Sequence, residues 1–183
     1  MNLDDMATGE KFRHASVIGS HIFQCRWRRA LPFLTSFTDI DDPRNGLLLY
    51  KPVEDAFDRA RLCIEVKDEK MTFRILDKTL RKKKLASRAA ELRSTSSVKI
   101  PSTPLEDTLQ TTFGDLDGQE LHFPEGSSIR PSKRLLALHS RASWIFAKKN
   151  YEMDDTTCPE ISLSDDGKTE AAFRSFSSSQ LPQ

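Results

Sequence analysis

Asp39-Ile40-Asp41-Asp42-Pro43-Arg44-Asn45-Gly46-Leu47-Leu48-Leu49-Tyr50-Lys51-Pro52-Val53-Glu54-Asp55-Ala56-Phe57-Asp58 is a turn, a short apolar strand and a helix start in immediate succession. Asp42-Pro43 favours turn initiation, and Asn45-Gly46 supplies residues that tolerate positive φ, so the chain is expected to reverse just before Leu47–Leu49. Pro52 suits the opening of a helix because its ring pre-sets φ and the amide it lacks would be unpaired there. Glu54 and Asp55 then fall in the first turn, where a carboxylate complements the helix dipole by about 0.3–1 kcal/mol.

Working outward, Ala15 to Phe23 places Val17, Ile18, Ile22 and Phe23 around Gly19-Ser20, which predicts a strand with a local break at the glycine and with His21 near its end. A histidine beside apolar residues is ordinarily a partly buried, hydrogen-bonded side chain. Downstream, Leu62 to Lys67 and Met71 to Leu76 predict two strands joined by a turn at Asp68-Glu69-Lys70, a β-hairpin in which Met71, Phe73 and Ile75 share one buried face. The order strand, helix, hairpin is an α+β arrangement rather than a repeating βαβ chain.

Ser20-His21-Ile22-Phe23, Asn45-Gly46-Leu47-Leu48-Leu49 and Phe57-Asp58 together resemble the HNH nuclease modules of fungal proteins. Those modules read Ala-His-Ile, a spacer, Asn-Gly-Leu-x-Leu, and His-x-x-Phe-Asp. The resemblance spans residues 15–66 and puts His21 on the first histidine, Asn45 on the central asparagine and Glu54, a carboxylate, on the last histidine. It implies an HNH-like ββα element that holds one divalent metal against a scissile phosphate. The first histidine takes a proton from the attacking water, the metal stabilises the leaving oxygen, and the asparagine braces the loop. Histidine suits the base because it titrates near neutrality, and Mg²⁺ prefers oxygen donors, so Glu54 is a candidate ligand as well as a first-turn helix acid. Ser20 rather than a carboxylate precedes His21, and at the start of the chain only Thr8-Gly9 survives of the family's Cys-x-x-Thr-Gly, with Asp5 at the cysteine position.

Two functions follow from the resemblance. One is an HNH-like module with weak or lost phosphodiester hydrolysis, retained to bind nucleic acid or protein. The other is an active metal-dependent endonuclease with His21 as general base and Glu54 as metal ligand. The cofactor is then Mg²⁺ or Zn²⁺ if the chain hydrolyses, and none if it does not; the partners are DNA or RNA.

Composition bounds the rest. The 183 residues fit one domain with appendages, and a net charge of +1 gives no global attraction to phosphate, so any contact with nucleic acid must come from a local patch. Cys25, Cys63 and Cys158 are odd in number and widely spaced, which reads as reduced thiols rather than a disulfide frame or a zinc knuckle. No apolar run approaches the ~18 residues that span a bilayer, and the acidic start lacks the plan of a signal peptide, so no membrane partner is expected and an intracellular place, nuclear or cytoplasmic, is the default.

Along the chain, residues 1–14 read as an eroded or disordered start, 15–93 as the HNH-like module with its hairpin and a basic helix, 94–150 as a linker and helical part of the same domain, and 151–183 as a disordered tail. Gln24 to Phe37 interleaves Arg26, Trp27, Arg28 and Arg29 with Leu31, Phe33 and Leu34, which fits either a short amphipathic helix or a surface that stacks bases and tracks phosphate. Arg81, Lys82, Lys83 and Lys84 are the densest cations, on a helix expected over 77–93; they suit either a solvated face or a nucleic-acid contact. Leu105 to Gln119 reads as an acidic loop, with Leu121-His122-Phe123 as a short closing strand. Pro131 to Asn150 is the surest helix, with Leu135, Leu138, Ala142 and Ile145 on one face and a length of about 30 Å. It carries no evident chemistry, and His139 reads as a flank residue.

Overall fold

The computed structural model describes residues 2–23, 38–96 and 102–154. The expectations for 24–37 and for the tail from 155 onward lie outside the described residues.

The chain opens with a small antiparallel hairpin, β1 (Asn2–Asp4) against β2 (Lys11–Arg13), in which Leu3 faces Phe12. Residues 1–14, read from sequence as an eroded start, therefore form an ordered element over 2–13. Its turn is built by Asp5, whose Oδ2 accepts hydrogen bonds from the Thr8 N–H and hydroxyl at 2.8 Å each, and by Gly9 at φ +72°. Phe12 is buried and stacks on Tyr50 with ring centroids 4.3 Å apart. Phe12 and Ala7 are buried and Leu3 and Met6 pack against the same core, but these four are irregularly spaced among polar residues, which is why no periodicity announces the segment.

β3 (Val17–His21) pairs antiparallel with β4 (Gly46–Tyr50), running from Val17 opposite Tyr50 to His21 opposite Gly46. Leu47 and Leu49 point inward and are buried, while Leu48 between them is half-buried, the period-two alternation of a strand with one face on the core. Before β4 the chain makes one 3-10 turn, Pro43–Asn45, capped by the Asp42 carboxylate on the Arg44 N–H. α1 (Lys51–Asp58) follows directly, with Pro52 in its first turn and Pro52, Val53, Ala56 and Phe57 forming the buried face that packs on β3 and β4. It ends at Asp58 because Ala60 turns left-handed at φ +55°, and the Arg61 and Ala60 amides bond back to Ala56 and Phe57. β3, β4 and α1 make a ββα element.

β5 (Leu62–Lys67) and β6 (Lys70–Ile75) form the expected hairpin, closed by Asp68 and Glu69 at φ +48° and +69°, the positive angles of a two-residue turn that matches strand twist. Residues 118–121 line the free edge of β6: the Gly118 and Leu121 amides donate to the Phe73 and Met71 carbonyls at 2.8 Å. The basic helix begins later than expected. A 3-10 turn spans Lys78–Leu80, and α2 covers Leu85–Thr95, so Arg81 to Lys84 precede the helix rather than decorate it.

The acidic stretch expected as a loop contains two short helices, α3 (Pro104–Thr108) and α4 (Phe113–Leu116). Each starts with a capping box, Thr103 with Glu106 and Thr112 with Asp115, in which side chain and backbone satisfy each other's orphan groups. α5 (Lys133–Asn150) starts at a Ser132 cap and packs along β5. Trp144 and Ala147 of α5 close a small cluster with Cys63 and Leu76, and the Trp144 indole donates to Glu65 at 3.1 Å. The first four residues assigned to the tail belong to the fold: the Tyr151 hydroxyl donates to the Arg59 carbonyl at 2.7 Å, and the Glu152 carbonyl accepts the Lys78 amide at 2.9 Å. The larger apolar core joins the three strand pairs to the helices, with Leu49, Val53, Phe57, Leu62, Ile64 and Phe113 at its centre.

Candidate functional site

The β3–β4 register brings His21 and Asn45 together. His21 ends β3 opposite Gly46, the residue after Asn45. Asn45 is fully buried, and its carboxamide is spent on the loop: Oδ1 accepts the Phe23 amide at 2.8 Å, while Nδ2 donates to the carbonyls of Phe23 at 3.1 Å and Ile40 at 2.8 Å. The Asn45 carbonyl also takes the Ile22 amide at 2.9 Å. A carboxamide offers one acceptor and two donors in a plane, which lets Asn45 bond to Phe23 and Ile40 and so clamp both ends of the long 22–45 excursion. This brace holds the strand end on which His21 sits.

His21 is about a third exposed, with Nε2 at 3.3 Å from Asp41 Oδ1. An imidazole at the mouth of a loop, paired with a carboxylate and about a third exposed, can take a proton from a water molecule. Asp41 escaped the sequence analysis. The only trace it leaves is a third acid beside Asp39 and Asp42.

Glu54 sits after the other end of β4. Tyr50, which precedes α1, pairs with Val17, four residues along the ladder from the pair His21–Gly46. The groups that act on the Glu54 carboxyl belong to its own helix. Burial first, then the Asp58 charge, push it up to about 7, against the pull of Lys51, with Asp55 adding to the rise and Asp58 sharing a hydrogen bond. Asp55 is committed elsewhere, to Arg59 at 2.9 Å and to Arg88 of α2 at 2.7 Å. Burial alone would raise Asp55, but the two arginines hold it below the usual carboxylate range.

These are the residues a divalent cation would have to use. A metal at Glu54 needs an ionised carboxylate and further donors turned toward it. Here the carboxyl prefers its proton up to neutrality, one neighbour is bound by two arginines, and among the described residues no group of three or more His, Cys, Asp or Glu stands close enough to hold an ion. The described residues do not fit the metal that the sequence resemblance implies.

The basic run is largely occupied. Arg81 bonds to Asp117 at 2.9 Å and also pairs with Asp154, Lys83 pairs with Glu91 at 2.8 Å, and Lys84 reaches Gln110; Lys82 is exposed. Sequence counting found the cations but not their partners, since Asp117 lies 36 residues from Arg81.

Asp5, at the position the resemblance gives to a cysteine, is fully buried. Besides closing its own turn it accepts the Tyr50 amide on Oδ1 at 2.7 Å, so it ties the first hairpin to the point where β4 becomes α1. Desolvation raises its pKa even against those hydrogen bonds. The spacing Asp5-x-x-Thr8-Gly9 is itself an Asx-turn signature and could have signalled an ordered element. His139 lies half-buried with its ring stacked on Phe57 at 3.8 Å, and burial lowers its pKa; it is packing, not a ligand to the site.

Among the described residues no helix is long and apolar enough to cross a membrane. No curated protein and no solved structure matches the chain significantly. One family model, described as HNH endonuclease, matches residues 5–65, a third of the chain that runs from the buried Asp5 through the hairpin carrying His21 and Asn45 to α1 and into β5.

Proposed function

We propose that the chain is an HNH-like module that contacts nucleic acid and whose phosphodiester hydrolysis is weak or lost. The observation that carries this is the condition of Glu54. At the position where the resemblance places a metal-binding imidazole there is a carboxyl raised to about 7, bonded to Asp58 and next to Asp55, which is already taken by two arginines. A neutral carboxyl is a poor ligand, and an acid trio neutralised by a proton and two guanidiniums no longer attracts a cation. What the fold keeps is the scaffold: the Asn45 clamp and the strand end it supports.

A second reading, an active endonuclease, draws on the pair His21–Asp41. An imidazole about a third exposed beside a carboxylate is the arrangement a general base uses. In that reading His21 accepts the proton of the attacking water and Asp41 steadies the imidazolium that results.

A supercoiled-plasmid nicking assay with Mg²⁺, Mn²⁺ or Zn²⁺ separates the two. The expected result is retarded plasmid, which reports binding, without nicking by the wild type beyond that of His21→Ala. Nicking by the wild type that disappears in His21→Ala makes the chain an active nuclease and overturns the proposal.

A further inference from the structure

The loop that leads into α5 holds a cation of a different kind from the run Arg81 to Lys84. Arg130 is exposed, and its guanidinium lies 4.3 Å from the centroid of the half-buried Phe123 ring. Its Nη1 donates to the carbonyls of Ser127 at 2.6 Å and Ile129 at 3.0 Å, and the Ser127 amide donates to the Pro124 carbonyl at 3.1 Å, so the loop fixes the guanidinium over the ring. That leaves Nε and Nη2 for a ligand. Ile129, the residue before it, is the one exposed large apolar side chain among the described residues, at 52 %.

Arg130 lines a cleft of about 330 Å³, at the small end of the ~300–1,000 Å³ typical of small-ligand sites. Phe123, Met71, Leu121 and Pro131 give it an apolar wall. At its rim Lys70 pairs with Glu120 and Lys133 with Glu69, whereas among the described residues Arg130 has no carboxylate within ion-pair reach. Three cations against two carboxylates leave the cleft one positive charge. The chain also ties the cleft to the Asn45 loop. Two residues beyond Arg130 the Ser132 amide donates to the Arg44 carbonyl at 2.8 Å, and Arg44 precedes Asn45, whose neighbour Gly46 faces His21.

We infer that this cleft takes one unpaired nucleotide of a single-stranded nucleic acid, its base stacked on the Arg130 guanidinium that Phe123 backs and its phosphate drawn by the same charge. The inference rests on the nucleic-acid reading above and names the form of nucleic acid. A guanidinium is planar, charged and weakly hydrated, which matches the π-face that every nucleobase carries once it is out of a duplex. An ammonium offers no such plane. The ring and the two loop carbonyls hold the guanidinium before the ligand arrives, so little side-chain freedom is lost on binding. A duplex fits worse: its bases face one another, and its phosphates call for a row of cations where this cleft has a single one without a carboxylate.

Fluorescence anisotropy with the full chain compares a short labelled single strand, as DNA and as RNA, with the same strand stripped of its bases and with its duplex. A fluorescent adenine analogue within the single strand reports stacking directly. The expected result is that the wild type binds the base-bearing single strand more tightly than the abasic strand or the duplex and changes the emission of the analogue. Arg130→Ala should bind the base-bearing strand about tenfold more weakly, with a smaller loss on the abasic strand. Arg130→Lys keeps the charge but not the plane, so it should keep the slope of log K against log salt and still lose the emission change. Both variants should stay folded in a circular dichroism melt, because the residue is exposed. This pattern with either the DNA or the RNA strand supports the cleft, and the stronger of the two names the preferred sugar. Equal affinity of wild type and Arg130→Ala for the base-bearing strand, a loss just as large on the abasic strand, or tighter binding of the duplex overturns the cleft while leaving a nucleic-acid module standing. No binding by the wild type to any of these forms overturns the cleft and the module together.

Discussion

Replacing Asn45 by alanine should cost more than any other single polar substitution in the β3–β4 element, and the structure gives the size. The side chain is fully buried and makes three hydrogen bonds, from the Phe23 amide at 2.8 Å and to the carbonyls of Phe23 and Ile40 at 3.1 and 2.8 Å. Alanine leaves one N–H and two C=O groups without their partner in a space too small to hydrate freely. An unsatisfied buried group costs about 1–3 kcal/mol, the donor near the upper end and each carbonyl near the lower, since a second lone pair can relax toward another neighbour. The sum is about 3–5 kcal/mol, a large part of the ~5–15 kcal/mol a domain has, and it corresponds to a fall in Tm of roughly 10 °C. Asn45→Asp sharpens the test. Aspartate keeps an acceptor for the Phe23 amide but turns a carboxylate oxygen toward two carbonyls, so it should be at least as damaging as alanine at neutral pH. Urea denaturation of the three proteins measures both differences. A loss under about 1 kcal/mol for alanine, or aspartate close to wild type, would refute the clamp as the element that holds the loop.

Two further outcomes follow from the same geometry. Glu54 is raised in the folded protein to about 7 from an ordinary 4.5, by burial first and the Asp58 charge second, so the folded state binds its proton more tightly than the unfolded chain does. Its contribution is therefore intact below about pH 4.5 and is lost as pH rises through about 7; Glu54→Gln should be neutral near pH 4 and stabilising at pH 8 by about 1–2 kcal/mol, the full linkage of ~3 kcal/mol being cut by the solvent that reaches this half-buried group. Urea midpoints of the two proteins that stay parallel across that range would sink the assignment. Phe12→Ala removes the ring stacked on Tyr50 and should cost about 3–4 kcal/mol in thermal or urea unfolding; a cost near zero would mean the first hairpin is an ornament rather than a part of the core.

The stretch from Asp39 to Asp58, the β5–β6 hairpin and the long helix α5 are legible in the amino-acid sequence because their signals are local. Turn residues, a proline at a helix start, alternation over six residues and a stripe at helical period all act within one element, and the surrounding protein only has to agree with them. His21 and Asn45 are marked by the resemblance to HNH modules rather than by these local signals, although each lies beside a turn or strand that reads clearly.

What only tertiary structure decided is which charges meet. Arg81 and Lys83 look like a free basic patch until Asp117, Asp154 and Glu91 fold against them, and Glu54 looks like an ordinary helix acid until burial, with the Asp58 charge, pushes it up to about 7. Asp5 reads as a polar residue near a chain end until its carboxylate closes on the Tyr50 amide 45 residues away. The α3 and α4 helices are local in their capping boxes, but helices this short persist only where Phe113, Leu116 and Leu109 find the common core. The physical reason is common to all of these. Hydrogen bonds and backbone preferences are short-ranged and written along the chain, whereas the state of an ionisable group depends on its burial and on partners that folding alone brings within a few ångströms.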